Sequence, residues 1–254
     1  MKVFGGVDAL ARSRVLRRWK AVADRANRMD PATLGALRDA ASQDRAVLDR
    51  AIERIDDRLS GPVLPSEPEA PRDSDWIWRP ATFTTRMPVP GYAGIDSGTA
   101  LGDGARLFHD CALSEITVRQ SSARTYSGTA PFGLDVDVLN FNGSFLSFVV
   151  ELPDASVAGL TLNHVVHVTL RIEAERPMEI FTRLNVKHGP NTEQIVREVD
   201  MRHAAPEMEF DLAYTEIAEP RIERAWIDII FGDPRMNRVS LRDMVVSRRL
   251  RAEM

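Results

Sequence analysis

A chain of 254 residues with 44% hydrophobic residues can bury a sizeable core, which excludes a wholly disordered protein. Its formal charge of −4 argues against a general nucleic-acid binder. Its single cysteine, Cys111, excludes an intramolecular disulfide framework.

The charge is unevenly spread. Residues 1–29 carry eight Lys/Arg against two Asp, whereas residues 30–60 carry five Arg against seven acids. Across residues 8–28, Val15, Leu16, Trp19, Val22, Ala23 and Ala26 fall on one arc of a helix, with arginines and Lys20 on the other. Asp30-Pro31 then reads as an N-cap followed by proline at the first helical position. Leu34, Leu37, Ala41, Leu48, Ile52, Ile55 and Leu59 recur at helical spacing until Gly61-Pro62. Residues 1–60 are therefore expected to form two helices. They are read as a hairpin or self-association device, forming a homo-oligomer. The alternative is a basic amphipathic helix, residues 8–28, docking on an anionic membrane surface or a protein partner. No aromatic or amide-rich neighbours suit the basic residues to reading bases, so no nucleic-acid partner is expected.

Four prolines, Pro62, Pro65, Pro68 and Pro71, cannot continue a helix or sit in a central strand. They mark residues 61–74 as a linker. Residues 75–254 then read as strands separated by turns. The candidate strands are Ile116–Arg119, Leu134–Phe141, Phe145–Leu152, His164–Ala174, Glu179–Lys187, Gln194–Asp200, Glu207–Leu212, Ala225–Phe231 and Val239–Ser247. Asn142-Gly143 between apolar runs signals a hairpin. In Val166–Glu173 apolar residues take every second position, giving one core face. Trp226–Phe231 is more continuously apolar and reads as a central strand covered on both faces, so Asp228 within it must point outward or be hydrogen-bonded. Many short strands without crossover helices define a mainly β protein, an antiparallel sandwich behind an N-terminal helical hairpin.

The segments Glu179–Lys187, Glu207–Thr215 and Arg224–Arg249 carry a resemblance. An aromatic penultimate strand, Trp226-Ile227-Asp228-Ile229-Ile230-Phe231, is followed by a closing Leu241-Arg242-Asp243-Met244-Val245 strand. This part resembles the galactose-binding-like jelly rolls of many carbohydrate-binding modules, which implies a saccharide ligand. The whole chain also resembles members of an uncharacterised alphaproteobacterial family, a resemblance that implies no activity. Such binding modules are usually exported, whereas this N-terminus is interrupted by arginines and has no apolar signal core. No stretch approaches the ~20 apolar residues of a spanning helix. The expected location is the cytoplasm, with attachment to the membrane periphery through the basic helix.

Chemistry is sparse. No Gly-x-Ser-x-Gly elbow, P-loop or dinucleotide turn occurs, and Gly91–Gly104 reads as an ordered loop. His164 and His167, three apart in a strand, point to opposite faces and make no metal pair. No catalytic residue, metal or cofactor is expected. Glycan hydrolysis would need two carboxylates facing one cleft. The best binding constellation is Arg183, Asn185 and Lys187, which share one strand face, continuing through His188 and Asn191 into a Gly-Pro turn. Arg183, Asn185, His188 and Asn191 offer donors and acceptors for hydroxyl or carboxylate groups. Trp76 and Trp78 offer two flat apolar faces on one side of a strand. The expected function is non-catalytic recognition of a saccharide or another polar ligand. A structural protein docking to an envelope or particle partner through its helices is the second class considered.

Overall fold

The structure is a computed structural model that describes residues 6–59, 68, 71–122 and 130–251. The chain divides into two compact units, Met1–Pro62 and Val63–Met254. The proline-rich stretch expected at 61–74 lies outside the described residues, apart from residue 68 and residues 71–74.

In the first unit, helix α1 spans Gly6–Arg25, a 3-10 turn covers Ala26–Arg28, and helix α2 spans Pro31–Leu59. The junction is built as the Asp30-Pro31 pair dictates. The Asp30 carboxylate accepts the Thr33 N–H at 3.0 Å, and this backbone bond is the main cause of its lowered pKa. The Trp19 indole donates to Asp44 at 3.3 Å, so the helices run side by side at that level. Val15, Leu16, Val47 and Leu48 lie one turn further from the junction, and each is more than half exposed. No described side chain in this unit is buried.

Among the described residues, the second unit is a sandwich of thirteen strands. In chain order, β1 is Ser74–Trp78, β2 Gly91–Ala93, β3 Thr99–Ala100, β4 Ala105–His109, β5 Ile116–Ser122, β6 Phe132–Val138 and β7 Leu146–Glu151. Then follow β8 His164–Ala174, β9 Ile180–His188, β10 Asn191–Glu198, β11 Glu207–Asp211, β12 Ile222–Phe231 and β13 Asn237–Leu250. One sheet has the order β11-β8-β13-β6-β5-β2, with β1 paired to the distal half of β13. The other has the order β10-β9-β12-β7-β4-β3. Adjacent strands in both sheets are antiparallel. The expected fold class is the observed one.

Period-two patterning drives this arrangement. Val168, Leu170 and Ile172 of β8 are buried, while Thr169, Arg171 and Glu173 between them are more exposed. Leu134, Leu241 and Val246 from the first sheet meet Phe148, Leu184, Ile227 and Ile229 from the second in one core. Phe83 closes one part of it, edge-on to Phe148 at 6.4 Å. The short strands β2 and β3 fall inside the stretch read from sequence as a loop. They are too brief to show alternation, and the turns around them use Gly94, Gly98 and Gly102 at positive φ.

Charged side chains pin the sandwich from within. A register irregularity in β13 between Leu241 and Asp243 carries Asp243 to Arg79, whose Nε and Nη2 donate to its two oxygens at 2.9 and 3.0 Å. Both side chains are buried. Arg248 donates to both oxygens of Asp75 and, through Nη1, to the Ser156 and Ala158 carbonyls at 2.9 Å. That hydrogen-bonded guanidinium holds the Asp75 carboxyl below the usual carboxylate range.

Breaking a buried pair leaves one uncompensated charge. Asp243→Ala is therefore expected to destabilise the sandwich by about 3–5 kcal/mol, read from urea unfolding followed by near-UV circular dichroism. A loss below about 1 kcal/mol, the range of an exposed pair, would show that the pair does not anchor the fold.

Candidate functional site

Strand β12 lies between β9 and β7, so its backbone groups are spent on both neighbours and its side chains alternate between faces. Ala225, Ile227 and Ile229 point into the core. Trp226, Asp228 and Ile230 point to the other face and line a groove of about 670 Å³. Arg183 of β9, Ser147, Val149 and Glu151 of β7, and Arg106 and Phe108 of β4 complete its floor. The strand is thus central in its sheet but open on its outer face, unlike the doubly covered strand expected from its apolar run.

Register sets the groove's geometry. Arg183 stands opposite Asp228, Asp228 opposite Val149, and Val149 opposite Arg106. One row across four strands therefore reads cation, anion, aliphatic, cation. In the next row Asn185 faces Trp226 and Trp226 faces Glu151. Gly104 closes one end with φ of +71°, a backbone that suits glycine. A Cβ there would sit 3.3 Å from the Glu151 carbonyl, so glycine lets the chain lie against β7. At another margin Phe145 is fixed by Asp110, whose Oδ1 accepts the Ser144 and Phe145 N–H groups. The Ser144 hydroxyl also donates to Asp110 and is the largest cause of its lowered pKa.

The centre is an ordered polar cluster. Asp228 is buried, and its Oδ2 accepts from Arg183 Nε at 2.7 Å and from Asn185 Nδ2 at 3.1 Å, with Arg183 Nη2 also in ion-pair contact. Gln194 in turn donates to Asn185 Oδ1 at 2.9 Å. Asp228 Oδ1 accepts no hydrogen bond among the described residues, so one carboxylate oxygen is anchored and the other remains free to accept. Beside it the Arg224 guanidinium lies 5.0 Å from the Trp226 ring centroid and reaches Glu151 at 3.4 Å. The groove therefore offers a flat apolar ring bordered by donors and acceptors, an arrangement suited to a ligand with hydroxyls around an apolar face.

The residues singled out from sequence are dispersed. Arg183 lines the groove. Asn185 lies beneath it, fully buried, with its amide spent on Asp228, Gln194 and backbone carbonyls, so it orients Asp228 instead of meeting a ligand. His188 falls on the inward parity of β9 and is buried, its Nδ1 accepting the Ala218 N–H. Asn191 is exposed where β10 begins, outside the groove. Trp76 and Trp78 belong to the other sheet, stack on each other at 6.3 Å and pack against the core. Sequence reading missed Trp226, Glu151, Arg106 and Arg224. The alternation of Trp226, Asp228 and Ile230 was visible, but Glu151 and Arg106 join them only through strand pairing. Among the described residues, no group of three or more His, Cys, Asp or Glu could hold a metal ion.

Fold and groove together define a β-sandwich with an open groove, aromatic and charged, on the outer face of one sheet. The chain belongs to DUF6478, a family of unknown function whose profile matches residues 2–254. No curated protein matches it in sequence. Among solved structures it is similar to the enzymatically active domain of bacteriophage CBA120 tailspike protein 4 (10% identity, 58% of this chain and 19% of that one, TM-score 0.41). It is also similar to the CBM22-1–GH10 modules of Clostridium thermocellum xylanase 10B, complexed with xylohexaose (9%, 60% and 27%, TM-score 0.38). A third is the family 11 carbohydrate-binding module of Clostridium thermocellum, bound to a mixed-linked tetrasaccharide (11%, 65% and 99%, TM-score 0.37). The chain spans only 19% and 27% of the first two. With TM-scores below 0.5, these likenesses name no ligand for this chain.

The Asp228 cluster has a measurable signature. Arg183→Ala should cost about 3 kcal/mol, the low end for a broken buried pair because Arg183 keeps a third of its side chain in water. The double change Arg183→Met with Asp228→Leu should recover most of that loss, since it removes both charges. Urea midpoints of the three proteins test this. Additive losses would show that the two charges are not coupled.

Proposed function

We propose that this protein is a non-catalytic saccharide-binding protein whose ligand lies in the outer-sheet groove. The observation that supports this most directly is the half-satisfied carboxylate of Asp228 beside the Trp226 ring. Sugar rings present an apolar face and a rim of hydroxyls, so stacking on Trp226 and hydrogen bonding to Asp228 Oδ1 use both. Arg183, Arg224 and Glu151 extend the polar rim, while Asn185 and Gln194 hold Asp228 in place. Pre-organisation of this kind lowers the ordering cost of binding. The expected roles of His188, Asn191, Trp76 and Trp78 as contacts would require a second surface, away from this groove.

Glycan hydrolysis is less well supported, although Glu151 and Asp228 share the groove at diagonal sheet positions, ~7–8 Å apart by strand geometry. Asp228 is held by Arg183 and Asn185 and Glu151 by Arg224, which suits fixed acceptors better than a proton-transfer pair.

The helical unit supports a second role, self-association. Val15, Leu16, Val47 and Leu48 form an exposed apolar level on the hairpin, and no described side chain of the unit is buried. A second copy is the occupant we favour. Two-fold packing would close a four-helix bundle and set Arg14, Arg17 and Arg18 of one copy against Asp39 and Asp44 of the other.

Two experiments follow. Affinity electrophoresis of the whole protein against a polysaccharide panel should show retention that Trp226→Ala weakens by about 10-fold or more, with circular dichroism unchanged. Retention unaltered by Trp226→Ala would place binding elsewhere. Sedimentation velocity should show a dimer that Leu16→Asp with Leu48→Asp converts to monomer; a wild-type monomer at tens of micromolar would remove the self-association role.

A further inference from the structure

The groove's charges are not balanced. Arg106, Arg183 and Arg224 face Glu151 and Asp228. Two of the arginines are committed: Arg183 to Asp228 and Arg224 to Glu151. Arg106 makes no ion pair among the described residues. From its exposed side chain Nη1 donates to the Gly98 carbonyl at 2.9 Å, which engages one edge of the guanidinium. The Nε and Nη2 N–H groups form the opposite edge of that plane, and among the described residues no protein acceptor meets them. Two parallel N–H bonds on one edge are the donor pair that a carboxylate accepts in bidentate fashion.

The position of this edge matters as much as its charge. Arg106 stands in the row Arg183–Asp228–Val149–Arg106, two strands from Asp228 and hence ~10 Å from it. Val149 lies between them as an apolar floor. A sugar ring resting on that floor would meet a hydroxyl acceptor, Asp228 Oδ1, on one side and an unpaired cationic fork on the other. Placing a neutral hydroxyl there leaves the guanidinium under-used, whereas a carboxylate on the ring completes both hydrogen bonds.

Resting on the saccharide reading of this groove, we propose that its ligand is an acidic glycan, with a uronate carboxylate seated on Arg106. Arg106 is then the residue that sets specificity, while Trp226 and Asp228 set affinity for sugar rings of any kind.

The test compares polygalacturonate and alginate with xylan and mixed-linked β-glucan, using affinity electrophoresis of the full chain in constant salt. Carrageenan serves as a sulfated control. Polyuronates should bind best, and Arg106→Gln should weaken them by about 10-fold or more and neutral glycans by a much smaller factor. Trp226→Ala should weaken both classes, which separates groove binding from adsorption of polyanions to the basic helix α1. Neutral glycans bound through Trp226, without a polyuronate preference, would overturn the acidic assignment and leave the saccharide reading standing. So would polyuronate binding that Arg106→Gln leaves unchanged. A preference for carrageenan over polyuronates would overturn the carboxylate. If no glycan of any class is retained, the saccharide reading fails with it.

Discussion

A carboxylate in the middle of a sheet must be partnered, and that constraint at Asp228 organises the functional face. Burial removes the water that would solvate it. Arg183 and Asn185 replace that water through one of its oxygens. Both partners come from the neighbouring strand and meet the same oxygen, so the other has no donor among the described residues. The same cluster fixes β9 against β12 and keeps the floor of the groove rigid. Sites built on paired strands hold their geometry better than sites on loops.

The opposite sheet serves support. Its long strand β13 carries β8 along one edge and β6 and β1 along the other. The buried pair Arg79–Asp243 and the half-exposed pair Arg248–Asp75 tie the chain around β1 to it. Such pairs add little net stability over apolar packing, but they penalise wrong registers. The tryptophans of β1 belong to this supporting side. Their rings stack on each other and pack, partly buried, against the core, whereas the β12 tryptophan, equally part-exposed, lines the groove.

Much of the fold was legible in the sequence, since alternation, turn signals and the Asp30-Pro31 cap are local features. His164–Ala174 was read with its observed limits. β2 and β3 were not legible, because strands of two or three residues cannot show a period. The site was less accessible. Arg183 was found because its strand alternates cleanly, but that pattern cannot tell which outward polar residues a neighbouring strand will consume. Asn185 looked available and proved to be spent on Asp228. His188 was read together with the turn, although its parity on β9 places it inward. Glu151 and Arg106 lie 77 and 122 residues from Asp228 in the chain, and only strand register brings them into one groove.

Saccharide binding over Trp226, on the outer face of the second sheet, can be read at each tryptophan separately. The four tryptophans, Trp19, Trp76, Trp78 and Trp226, give four indole N–H signals in a 15N correlation spectrum, assignable by single Trp→Phe changes. In titrations with xylohexaose, a mixed-linked glucan tetrasaccharide and trigalacturonate, the Trp226 signal should move to saturation with at least one ligand while the other three stay in place. Movement of Trp76 or Trp78 with Trp226 unmoved, or no movement of any signal with any ligand, would contradict the account.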